Sequence, residues 1–125
     1  MPPITLKTRC IAAAITGVIL HVMIFHPWIP YSHRESQLPG ILPMAIVLAV
    51  AGMILTFGAD ERRGLICMCI VAGMFVGNAA LCAYDWSSDS TTHNLFPFEF
   101  VMIAFAIVPA AGGAFLSHLA GRLRA

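Results

Sequence analysis

At 125 residues the chain makes one domain at most, and with 59% hydrophobic but only 10% charged residues it holds more apolar surface than a water-soluble fold of this length can hide. A formal net charge of +1, without a basic run or an aromatic-basic face, excludes a surface built to track nucleic acid. The four cysteines, Cys10, Cys67, Cys69 and Cys82, lie in or at the edges of apolar runs, so they read as small apolar side chains and not as an exported disulfide framework.

Uncharged apolar runs of about 18 residues or more mark membrane spans. The first run extends from Cys10 to Trp28, and the bulky "FHPWIPYSHRES" after it offers no signal-peptide cleavage site, so it is expected to be retained. An outer loop at 29–40 leads to a second span at 41–59, and the "DERRG" turn at 60–64 is short enough to force a helical hairpin with a third span at 65–84. A second outer loop at 85–96 precedes a fourth span at 97–119, which Pro109 should bend. Each run can cross a hydrocarbon core of ~30 Å at ~1.5 Å per residue. Six of the seven Lys and Arg residues fall on the side of Lys7, Arg9, Arg62, Arg63, Arg122 and Arg124, leaving Arg34 opposite. The predicted fold is therefore all-α: an integral membrane four-helix bundle, antiparallel up-down, in the cell inner (plasma) membrane with both termini cytoplasmic. Trp28, Tyr31, Tyr84 and Trp86 then lie at the outer interface, where amphipathic rings prefer to sit.

Lipid gives no hydrophobic drive between helices, so packing must come from close backbone approach and interhelical polar contacts. Gly73 and Gly77 on span three, Gly17 with Ala13 on span one, and Ala110 with Ala106, Ala114 and Gly113 on span four supply smooth stripes, with span three the expected centre. Trp28 to Pro39 repeats the spacing of Trp86 to Pro97, a hint of a duplicated two-span hairpin.

The polar residues within the spans gather toward the outer leaflet. Measured from each span's midpoint, His21 lies ~3 Å and Asn78 ~5 Å outward, with His26 at ~10 Å and Glu99 at ~13 Å. His21 and His26 point about 140° apart on a straight helix, which rules out a two-histidine clamp. His26 reads as interfacial; His21 is expected to face the bundle interior and to hydrogen-bond Asn78 as interhelical glue. Glu99, two residues after Pro97, suits the first turn of a helix, and it could also join Asp85, Asp89, His26, His33 and His93 as an acidic lip on the outer side. No metal-ligand spacing recurs there, and Cys67 and Cys69 point about 200° apart on one helix, so neither a metal nor a cofactor is expected.

No Ser-His-Asp or Cys-His set, phosphate loop, zinc-protease motif or pair of intramembrane carboxylates is present in the sequence. The expectation is a non-enzymatic multi-pass protein that binds another membrane protein, as an accessory subunit or an immunity-type protein, with spans two and four as contact faces. The alternative is a small homo-oligomeric transporter or channel using His21, Asn78 and Glu99 along an outward path. Partners on either view are the lipid bilayer and a membrane protein or a second copy.

Overall fold

The computed structural model describes residues 4–25, 40–59, 62–88 and 96–123, and of the helical residues 25 and 96–98 it describes the backbone alone. Among these residues the only regular structure is helical: α1 (Leu6–Phe25), α2 (Ile41–Thr56), α3 (Arg63–Ser88), α4 (Phe96–Ala104) and α5 (Ile107–Arg122). Three helical stretches are long and apolar enough to cross a membrane: Leu6–Ile24, Arg63–Ser88, and Glu99–Arg122 taken through the break between α4 and α5. The 16-residue α2 is equally apolar but shorter, about 24 Å at 1.5 Å per residue.

Local chemistry explains where the helices depart from the hydropathy limits. α1 starts at Leu6 and not at Cys10, because the Thr5 hydroxyl accepts a hydrogen bond from the Thr8 amide at 3.2 Å and caps the first turn. α2 begins after Gly40, where Pro43 removes an amide that has no partner within the helix in any case. It stops at Thr56, short of residue 59: Phe57 is extended (ψ 128°) and Gly58 turns left-handed (φ +65°). α3 runs to Ser88, so residues 85–88 are helical where the apolar pattern predicts a loop. Ser87 and Ser88 donate their hydroxyls to the Tyr84 carbonyl at 2.7 and 3.0 Å and satisfy the helix end.

Pro109 acts one turn upstream of itself. Its ring displaces the carbonyl four residues back, and the helix breaks at Phe105 and Ala106. The amides of Phe105, Ala106 and Val108 instead bond three residues back, to Met102, Ile103 and Phe105, at 3.2, 2.9 and 3.1 Å. Tighter turns thus replace the lost bond and separate α4 from α5.

The principal packing is between alternate helices. A Cβ on Gly17 would run into the Ile70 carbonyl and lie 3.0 Å from the Gly73 Cα, and a Cβ on Gly73 would run into the Ala14 carbonyl. Further out, a Cβ on Gly77 would lie 3.0 Å from His21 Cβ, so α1 and α3 run parallel with their backbones touching. α2 and α5 repeat the arrangement, with Gly52 on the Ala110 carbonyl and Gly113 on that of Ala49. In both pairs each glycine meets the carbonyl three residues before its opposite number. Gly17, Gly73, Gly77 and Ala110 all lie at these crossings, joined by Gly52 and Gly113. This is the packing that two copies of one hairpin would adopt side by side. α3 is the most enclosed of the long helices, half of its apolar window being buried against 22% for α1 and 33% for Glu99–Arg122. Ile66, Ile70 and Met74 on α3 meet Ala13 and Leu48 in the core.

Candidate functional site

The polar groups at membrane depth fall into three places, each set by the helix pairing. His21 and Asn78 lie one turn beyond the Gly17–Gly73 contact of the α1–α3 crossing, and both are 0% exposed. Gly77 makes room for the imidazole: a methyl group there would stand 3.0 Å from His21 Cδ2 and 3.2 Å from Cγ. Among the described residues the Asn78 side chain has no hydrogen-bond partner at Oδ1 or Nδ2, so the expected His21–Asn78 hydrogen bond is not formed. The two residues are neighbours on adjoining turns without that bond, because His21 seats over Gly77.

Thr56 and Ser117 occupy the corresponding position beyond the α2–α5 crossing, four residues past Gly52 and Gly113 respectively, and both are buried. The Thr56 hydroxyl donates to the Gly52 carbonyl one turn back, at 2.7 Å. Sequence reasoning passed over both hydroxyls, since Ser and Thr cost little in an apolar run. Their common spacing from a glycine was the available signal.

The end of the bundle at the C-terminus of α3 and the start of α4 carries acidic groups. The Cys82 thiol donates to Glu99 Oε2 at 3.8 Å across α3 and α4, and Phe75 stacks on Phe100 with centroids 5.5 Å apart and planes 10° from parallel. Glu99 stands in the first turn of α4, half-buried, where the helix amides favour its charge. Asp85 is the correction: expected in an outer loop, it is buried on α3, within the buried face that also holds Leu81 and Cys82. Its side chain therefore faces the bundle and not an open lip. His26, His33, Asp89 and His93 lie outside the described residues. Among those described, no group of three or more His, Cys, Asp or Glu side chains comes together in a metal-binding arrangement.

At the opposite end, basic side chains tie the helices together. Arg9 Nη1 donates to the carbonyls of Leu55 and Phe57 at 2.9 and 2.7 Å, satisfying the last turn of α2 from the start of α1. Arg63 Nη1 lies 3.1 Å from His118 Nδ1, joining the start of α3 to the end of α5. Guanidinium can only donate, so Nδ1 accepts and the imidazole proton sits on Nε2. Both hairpins are thus clasped at the same end by an arginine.

The most deeply set polar groups, His21, Asn78, Thr56 and Ser117, are all buried in the helix crossings. The outward surface is apolar along the spans: Ile11, Ile15 and Ile19 on α1, Val50 and Ile54 on α2, Val76 on α3, and Val108, Phe115 and Leu119 after the break are all exposed. No family model, curated protein or solved structure matches the chain.

Proposed function

We propose that this is a non-enzymatic multi-pass protein of the inner (plasma) membrane that acts by helix–helix binding to another membrane protein, as an accessory subunit or an immunity-type protein. In this reading α1, α2, α3 and the broken α4–α5 rod are four spans, and the arginine-clasped end with both termini lies in the cytoplasm. The short α2 is accommodated by local thinning of the bilayer.

The observation that carries the reading is the division of the surface. His21, Asn78, Thr56 and Ser117 are sealed in helix crossings, at 0 to 3% exposure, whereas the exposed span positions are apolar. Side chains buried in crossings are placed to pack helices and not to meet a solute. What remains available to the surroundings is an apolar face, which in a bilayer meets lipid or another helix. A pore between copies would have to be lined by residues such as Ile15, Val50 or Phe115, which give an ion nothing in place of water.

Photo-crosslinking in native membranes tests the proposal. A benzophenone side chain placed in turn at Ile15, Ile54, Val76 and Phe115 is expected to give one protein adduct of constant mass from α2 or α5 positions and lipid adducts elsewhere. Lipid or self adducts from every position would defeat it. Solute flux in proteoliposomes that disappears in His21→Ala would replace it with the transporter reading.

A further inference from the structure

The four thiols divide into two kinds. Cys67 and Cys82 are buried, and their sulfurs donate to the Ala110 carbonyl at 3.5 Å and to Glu99 Oε2 at 3.8 Å. Cys10 and Cys69 are half-buried and are neighbours across the α1–α3 pair. The helix register explains the meeting. A Cβ on Gly73 would lie 3.0 Å from the Ala14 Cα, and Cys69 and Cys10 stand four residues before Gly73 and Ala14, one turn down the same faces of two parallel helices. Backbones in contact one turn away bring the two cysteines together, and a disulfide between them asks for a Cα separation of about 4.4 to 6.8 Å.

We infer that Cys10 and Cys69 are an oxidisable dithiol that closes into a disulfide linking α1 to α3. Both S–H bonds break and one S–S bond forms, and the two electrons and two protons pass to a lipid-soluble quinone, which leaves as its quinol. The partial exposure of both residues admits an oxidant dissolved in the bilayer, while Cys67 and Cys82 are buried away from it. The product carries no charge, which suits an apolar setting; a metal thiolate would carry one. The inference depends on the α1–α3 register and is independent of the partner-binding proposal.

The test uses the full chain in lipid nanodiscs and a fully ring-substituted benzoquinone, which cannot arylate thiols. After exposure, unfolding and maleimide labelling, the expected product is a monomer two hydrogens lighter, with labels on Cys67 and Cys82 alone and a peptide pair joining Cys10 to Cys69. A dithiol reductant restores four labels. Cys10→Ser and Cys69→Ser each abolish the mass change, and the Cys67→Ala/Cys82→Ala double variant keeps it. Four labels on the quinone-treated chain, a disulfide-linked dimer, or a bridge that includes Cys67 or Cys82 would each overturn the inference.

Discussion

Replacing glycine by alanine inside a helix ordinarily stabilises it by up to about 1 kcal/mol, because glycine has more backbone freedom to lose. The crossing geometry reverses that sign at four positions and preserves it at three others. A methyl group at Gly113 would run into the Ala49 carbonyl oxygen and stand 2.7 Å from its carbon and 2.9 Å from the Met53 nitrogen. Each of these atoms is backbone, so relief requires two helices to part. Gly17, Gly52 and Gly73 are in the same position, whereas a Cβ at Gly64, Gly112 or Gly121 meets nothing within 4 Å. Overpacking of a close contact costs about 1 to 3 kcal/mol, which outweighs the propensity gain. For a domain of this size a net loss of ~2 kcal/mol lowers the thermal midpoint by roughly 5–10 °C. The buried Cys67 and Cys82 provide the assay, since a thiol-reactive fluorophore reports their exposure as the detergent-solubilised protein is heated. Gly73→Ala and Gly113→Ala should melt earlier than wild type, and Gly112→Ala at the same temperature or later. If all three shift alike, or Gly112→Ala alone is destabilised, the tight parallel crossings are wrong.

The same instrument reaches other residues. Asn78→Leu removes an amide that is fully buried with no hydrogen-bond partner among the described residues, so the variant should be at least as stable as wild type, by up to about 1 to 3 kcal/mol. Gly77→Ala should cost less than Gly73→Ala, because its methyl group would press on the His21 side chain, which can shift, and not on backbone. Arg9→Met keeps the apolar stem but withdraws both donors from the end of α2; a loss of about 1 to 3 kcal/mol is expected, with faster amide exchange at Phe57 and Ala59 by mass spectrometry. Pro109→Ala returns an amide at the position where the Phe105 carbonyl lacks its usual partner, so helical signal should rise and α4 and α5 should merge; an unchanged spectrum would move the cause of the break elsewhere.

Hydropathy located the helices to within one turn at most ends because burial in lipid is a property of composition along the chain. It could not supply azimuth. Short connections suggest that consecutive spans are the closest neighbours, yet the backbone contacts join α1 to α3 and α2 to α5. The glycines on spans one and three were readable as packing residues; Gly52 was passed over because its small partner four residues on is Thr56 and not glycine or alanine. Thr56 and Ser117 were hidden by their modest cost in an apolar helix. Asp85 misled because a carboxylate after Tyr84 resembles the start of a loop, whereas the chain keeps its helical bonds for another turn and ends on Ser87 and Ser88. Cys10 and Cys69 are distant in sequence, and only the parallel crossing brings them together. His21 and Asn78 stand at one level of the α1–α3 pair, but a shared level does not fix orientation, and the imidazole turns to the space over Gly77.

The clasp between Arg9 and the last turn of α2 couples two events that occur in order during synthesis. Arg9 emerges first and can reach the Leu55 and Phe57 carbonyls only when the second helix returns to the compartment where the first one began. A chain threaded the wrong way, or one whose short second helix stalls partway, leaves a guanidinium and two carbonyls without each other. On the proposed four-span insertion, the fold would thereby distinguish properly inserted molecules from misinserted ones through its own stability.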